Sequence, residues 1–328
     1  MGMTDTQSID VRKRRPTTGL AVETRDLTKR YGRNRGILEV SLEVPRGEIF
    51  GFLGPNGSGK STTIRLLLDL IRPSSGSARV LDLDIQADSL EIRRRTGYVP
   101  GELALYGNQS GMRAIRHFAG LRGRIDTTYA FELAERFSAD LDRPIGKLST
   151  GNKHKVAIVL ALMHKPELLV LDEPSTGLDP LVQQEFQEVL RETRAEGRTV
   201  FLSSHTLAEV ERVTDRVGII REGRLIVVER LSDLKSKAVR HLEFEFDRPV
   251  PPGMFDGVDG VRDVRIEGRV ANISVEGVVD PVVRAASALT IVNVSSVEAD
   301  LDEIFLAYYR GEGAPMAETH PEEVTSVG

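Results

Sequence analysis

The chain of 328 residues contains no cysteine, which excludes disulfides and thiolate metal sites and suits a reducing compartment such as the cytosol. It also has no long apolar run. The longest, residues 156–163, falls far short of the roughly 20 residues that span a bilayer. No apolar stretch follows the basic run Arg12, Lys13, Arg14 and Arg15, so no secretory signal is expected. Nor is there an excess of positive charge. The net charge of −5 argues against a general affinity for nucleic acid. That leaves the basic runs at 12–15 and 93–95 as solvated surface, with a loose contact to anionic lipid as the other reading of the first. The remaining composition, 40% hydrophobic and 28% charged, is ordinary for a globular protein long enough to hold one large domain and a small one.

Against these absences stands Gly54-Pro55-Asn56-Gly57-Ser58-Gly59-Lys60-Ser61-Thr62, which fits the phosphate-binding pattern G-x-x-x-x-G-K-[ST]. Residues 48–53 before it read as a buried strand, and residues 63–71 after it as a helix closed by Pro73. Glycines let the backbone curl so that successive N–H groups face phosphate oxygens, and the following helix adds the partial positive charge of its N-terminus. Lys60 is expected to reach the β- and γ-phosphates and the Ser61 hydroxyl to ligate Mg²⁺. The alternative, a Gly/Ser-rich turn before a core helix, does not need that strand–loop–helix setting. A second signal is Leu168-Leu169-Val170-Leu171-Asp172-Glu173-Pro174, an interior strand with two carboxylates at its end. Ligands gather at that edge of an open α/β sheet. Asp172 is placed to hold Mg²⁺ through water, and Glu173 to orient or deprotonate an attacking water. Alone, the same run is equally a strand meeting a turn.

The wider pattern alternates strands and helices, which implies a largely parallel, covered sheet. Residues 1–19 are unpatterned and polar, and are expected to be a disordered lead-in. Residues 20–235 carry the nucleotide machinery, with a helical subdomain at about 104–150. There Ile115, Phe118 and Leu121 are spaced for one helix face, and Tyr129, Leu133 and Phe137 for another. Val182, Phe186, Val189 and Leu190 share a face of a helix stopped by Gly197. Residues 199–203 read as a buried strand, and the runs at 217–220 and 225–228 as a hairpin around Arg221-Glu222-Gly223-Arg224. Residues 240–310 form a small α+β domain in which Leu242, Phe244 and Phe246 alternate inward, with helices expected at 281–289 and 300–310. The acidic tail 311–328 is expected to be disordered.

These motifs, with Leu148-Ser149-Thr150-Gly151-Asn152-Lys153, Ser175-Thr176-Gly177-Leu178-Asp179 and His205, stand in the order of the ATP-binding-cassette family. The chain resembles that family over residues 20–235. The resemblance implies an α/β P-loop ATPase domain with a helical subdomain, to which this chain adds its small C-terminal α+β domain. It further implies that Tyr31 stacks on adenine, where packing at a strand end is the alternative. Ser149 and Gly151 would cap the γ-phosphate held by the other of two head-to-tail cassettes. Asp179 would link the two sites, a role compatible with capping the helix that Pro180 begins. His205 would contact the γ-phosphate. The expected ligands are ATP and Mg²⁺. The expected partners are a second cassette, either another copy or a relative, and a separate integral-membrane permease, with no nucleic acid. That places the chain peripherally on the cytoplasmic side of the membrane. The segment Asp300-Leu301-Asp302-Glu303-Ile304-Phe305-Leu306 and the run from Leu168 to Phe186 resemble those of drug and antibiotic exporters. Two other readings stay open: a soluble cassette acting on ribosomes or DNA, and a clamp that hydrolyses little.

The sequence departs from the family in two places. Gly101 stands where a coupling glutamine is usual, with Glu102 beside it, either substituting in part as a Mg²⁺ ligand or facing solvent. Thr150 replaces the first signature glycine and His154 a common glutamine, and Thr150 narrows the approach of backbone to phosphate.

Overall fold

A computed structural model describes residues 19–32, 34–123, 125–237 and 239–297. The expected lead-in before Gly19, the helix at 300–310 and the tail 311–328 lie outside the described residues.

The chain opens with β1 (Leu20–Tyr31), β2 (Asn34–Pro45), β3 (Ile49–Leu53), α1 (Lys60–Leu67), β4 (Ser75–Val80) and β5 (Leu83–Asp84). Next come α2 (Ser89–Arg95), β6 (Thr96–Val99), α3 (Gly111–Leu121), α4 (Thr128–Arg136) and α5 (Thr150–Leu162). They are followed by β7 (Leu168–Asp172), α6 (Pro180–Ala195), β8 (Thr199–Ser204), α7 (Leu207–Glu211), β9 (Arg216–Arg221), β10 (Arg224–Arg230) and α8 (Leu231–Lys237). The remaining elements are β11 (Val239–Phe246), β12 (Val261–Glu267), β13 (Val270–Glu276), α9 (Asp280–Ala286) and β14 (Ile291–Val297).

The central sheet runs β10-β9-β3-β8-β7-β6, parallel except for the hairpin strand β10. Its inner strands are buried on both faces, which is why they read as unbroken apolar runs. Alternate residues enter two cores. Phe50, Phe52, Leu168, Val170 and Phe201 meet α1 and the antiparallel sheet β2-β1-β4-β5, which contributes Val22, Leu27, Val40 and Leu42. Ile49, Leu53, Leu169, Leu171, Val200 and Leu202 meet the helical side, including Ile115, Leu133, Phe137, Ile158 and Phe186. The turn Glu222-Gly223 between β9 and β10 has φ of 49° and 79°, the type I′ geometry of a tight hairpin. In the third sheet, β12-β13-β11-β14, Leu242, Phe244 and Phe246 point at Val282 and Ala286 of α9.

Two local expectations need correction. The helix after the phosphate loop is Lys60–Leu67 and not 63–71. Gly59, at φ 115°, lets it begin at the lysine, and Asp69, at φ 54°, turns the chain left-handed so that Leu70 N–H donates back to Arg65 O at 2.8 Å. Leu121 does not share the buried face of α3 and is 70% exposed. Each step of three residues falls about 60° short of a full turn. Leu121 therefore sits well away from Ile115, and Gly111, Ala114 and Ala119 complete the buried face instead.

Arg136 of α4 grips α6. Its Nε lies 2.5 Å from Glu185 Oε1, and Nη1 and Nη2 donate to Glu192 at 2.7 and 2.9 Å. The Arg136 hydrogen bonds hold the Glu192 carboxyl below its ordinary value of 4.5. All three side chains are partly exposed, so Arg136→Ala should lower stability by about 1 kcal/mol at neutral pH in urea melts. A depressed carboxyl pKa contributes stability above the unfolded-state pKa and loses it as pH falls through the folded value. The gap between the wild-type and variant melts should therefore narrow in acid below pH 4.5.

Candidate functional site

The neighbouring strands β3, β8 and β7 end at one edge of the sheet, and each delivers part of the candidate site there. From β3 comes the glycine-rich loop. A Cβ on Gly54 would lie 2.4 Å from Ile220 O and 2.5 Å from Ser58 Oγ, so only glycine fits. The loop is held from two sides. Gly54 N–H donates to Ser204 O at 3.3 Å, tying it to the end of β8. Gly223 N–H donates to Ser58 O at 2.8 Å, while Leu38 N–H donates to Gly223 O at 2.7 Å, so the hairpin turn braces the loop against β2.

Lys60 opens α1 and is only 4% exposed. Its ammonium donates to Gly54 O at 2.6 Å and Pro55 O at 3.0 Å, and stands 3.2 Å from Glu173 Oε1. The other oxygen of Glu173 is 3.2 Å from His205 Nδ1. The three side chains thus form one chain of contacts around the Glu173 carboxylate. Glu173 itself has φ 52°, a left-handed conformation that costs a non-glycine residue about 1–3 kcal/mol and is concentrated at functional sites. Its N–H is fixed by Ser203, whose carbonyl and hydroxyl oxygens both lie 3.2 Å away.

Ser203 is a residue that motif reading passes over. Fully buried, it donates from Oγ to Asp172 Oδ1 at 2.6 Å and so orients both carboxylate residues at once. The signal was there, because a hydroxyl ending an otherwise apolar strand needs a partner, and β7–β8 pairing sets Asp172 opposite Ser203. Tyr98 on β6 is also near. Burial first, and the Asp172 charge second, push its hydroxyl up to about 12, keeping it a neutral phenol beside that carboxylate.

Tyr31, Pro55, Asn56, Gly57, Gly59, Lys60, Ser61, Thr62 and Glu173 line one cleft of about 160 Å³. Ser149, Gly151 and Asp179 are not in that lining. Ser149 caps α5, accepting from Asn152 N–H at 3.3 Å. Asp179 Oδ1 caps α6, accepting from Val182 N–H at 3.0 Å. A Cβ on Gly101 would lie 3.5 Å from Asp172 Oδ2, whereas Glu102 is exposed to solvent. It is Gly101, then, that lies against the Asp172 carboxylate. His154 is buried within α5, its Nδ1 3.1 Å from Thr150 O.

The oxygen donors Ser61 and Asp172 suit Mg²⁺. Among the described residues no group of three or more His, Cys, Asp or Glu could hold a metal alone.

Residues 37–176 match the ABC transporter family. The chain is 37% identical over 227 residues to a bacitracin transport ATP-binding protein of Bacillus licheniformis, covering 68% of this chain and 74% of that protein. It is 29% identical over 299 residues to a bacitracin transport ATP-binding protein of Enterococcus faecalis, covering 89% and 97%. Among solved structures, the ATP-binding subunit of an ABC transporter superposes with TM-score 0.61 at 31% identity, covering 66% of this chain and 92% of that one. A dimeric ATP-binding cassette holding ADP and phosphate after hydrolysis shares the fold with TM-score 0.59 at 21% identity, covering 64% and 98%.

Proposed function

This chain belongs to the ATP-binding subunits of the ABC transporter family, and we propose that it powers export of a drug or antibiotic through a separate membrane-embedded permease. It binds ATP and hydrolyses it. The observation that carries the reading is the contact chain Lys60–Glu173–His205 beside Asp172 at the end of the central strands. An arriving triphosphate competes for Lys60, which leaves Glu173 for the β- and γ-oxygens. Glu173 is then free to take the proton of the attacking water. That water's oxygen bonds to the γ-phosphorus as the bridging oxygen departs with its electron pair on ADP, and His205 holds the γ-phosphate. Ser61 and Asp172 would hold Mg²⁺, which supplies charge neutralisation to the phosphates.

Tyr31, 45% exposed on the rim, presents a ring face for adenine. Tyr31→Ala should weaken ATP binding roughly 5- to 30-fold, the worth of about 1–2 kcal/mol of base stacking. Titration calorimetry reads this directly, and an unchanged affinity would leave Tyr31 with packing alone.

The placement of the signature residues and an apolar cleft support the assembly. Ser149 and Gly151 lie outside the cleft of their own protomer, which favours a second cassette, another copy or a relative, supplying them in trans. No helix among the described residues is long and apolar enough to cross a membrane. A mostly apolar cleft of about 320 Å³, lined by Leu68, Tyr98, Pro100, Leu103, Leu105 and Phe118 among others, begins beside Gly101. It offers the permease's cytoplasmic segment a seat next to Asp172, on the cytoplasmic side of the membrane. The test is to recover the tagged chain from membranes. Recovery with an integral protein, and ATP-driven antibiotic uptake by inside-out vesicles carrying both, is the expected result. Recovery with ribosomes or DNA would favour the soluble alternative.

A further inference from the structure

We propose that Lys155 is a positioning residue that locks the signature end of α5 to the loop 173–179, so that each protomer presents both to its partner's nucleotide as one block. This rests on the paired-cassette reading above. Lys155 lies one helical turn beyond Gly151, on the same side of α5. It is 9% exposed, and its ammonium stands 3.5 Å from Asp179 Oδ2. The cap to Val182 N–H holds the Asp179 carboxyl below its ordinary range, with Lys155 adding to the effect, so Asp179 is charged at neutral pH. Its two oxygens thus have separate duties, Oδ1 toward α6 and Oδ2 toward α5.

The backbone repeats the connection. A Cβ on Gly151 would lie 2.4 Å from Gly177 O, so the first turn of α5 and the loop touch with no side chain between them. Thr150 Cγ2 would sit 3.5 Å from a Cβ on Gly177, which places the departure from the usual glycine against this same loop. On the far side, Gln183 Nε2 donates to Leu178 O at 3.2 Å, pinning the loop to α6. The loop is therefore gripped between two helices, and Lys155 supplies the charged contact on the signature side.

A stabilising role alone explains this poorly. The Lys155 side chain is buried but the Asp179 side chain is 54% exposed, and an ion pair open to water on one side adds little stability, so a charge kept there is better accounted for by the geometry it enforces. Without it, Ser149 and Asp179 would reach the partner's site independently, and closure on ATP would need more nucleotide. The triphosphate cradle around Lys60 is untouched by the change.

The experiment compares Lys155→Met, Lys155→Gln and Lys155→Arg in the full chain carrying Glu173→Gln. Two quantities are read: ADP affinity, which reports the protomer's own cradle, and the ATP concentration giving half-maximal dimer in sedimentation. ADP affinity should stay within about twofold for all three. The Met and Gln variants should need roughly fivefold more ATP or higher to dimerise, the scale of a coupling between sites, and Arg should restore the original value. Dimerisation of the Met and Gln variants at unchanged ATP overturns the role of Lys155, as does an Arg variant as impaired as Met. Loss of ADP binding in both neutral variants assigns Lys155 to folding and equally overturns it. If the Glu173→Gln parent binds ATP yet stays monomeric, the paired-cassette reading fails first and takes the proposal with it.

Discussion

Glu173→Gln should lower steady-state ATP turnover by about 10²- to 10⁴-fold, the usual contribution of a positioned general base. The amide has the shape of the carboxylate, so the left-handed backbone at φ 52° and the two bonds to Ser203 have no reason to change. Its oxygen can still accept from Lys60, now 3.2 Å away, but it cannot take a proton from water. Nucleotide affinity should hold or rise, because Lys60 gives up a neutral partner in place of an anion when phosphate arrives. Phosphate release at saturating Mg²⁺-ATP decides the matter. A fall of less than about threefold would remove Glu173 from the chemistry and favour a clamp that hydrolyses little.

Lys60→Ala should abolish detectable turnover and weaken ATP binding by about 100-fold or more, since a charge-assisted hydrogen bond to phosphate is worth roughly 1.5–3 kcal/mol and the ammonium can make more than one. The fold should survive. Glu173 keeps His205 at 3.2 Å, and the first turn of α1 keeps the Thr63 N–H bond to Gly59 O at 2.9 Å. A melting curve close to wild type beside a collapsed binding isotherm is the expected pair of results. Retained ATP affinity with a normal melt would mean that the loop's backbone alone carries the phosphates.

The parts legible in the sequence are those where one local rule dominates. The phosphate loop, the Asp172–Glu173 strand end and the hairpin at Glu222-Gly223 each follow from turn chemistry or burial on both faces. The sheet β2-β1-β4-β5 does not show in the sequence pattern. β1 is buried continuously over residues 21–24, then broken at Arg25 and Asp26 by a bulge in its pairing before Leu27 and Thr28 are buried again, so no clean alternation shows. At the site, residues acting through backbone or across strands stayed hidden: Ser203 speaks to Asp172 only once β7 and β8 are paired, and Lys155 reaches Asp179 only once α5 packs on the loop. Gly101 and Glu102 are both exposed, and the difference between them is likewise a matter of which residue of a loop lies beside Asp172.

The loop over Lys60 is fastened to β8 through Ser204 and to the hairpin through Gly223. Docking there spends little on conformational ordering, whether two phosphates come or three. Diphosphate and triphosphate forms then share a rigid berth for their common phosphates, and the last phosphate adds its contacts with Lys60 and His205 before a mate closes over it. ADP should therefore compete with ATP for the berth, so that turnover falls as ADP accumulates.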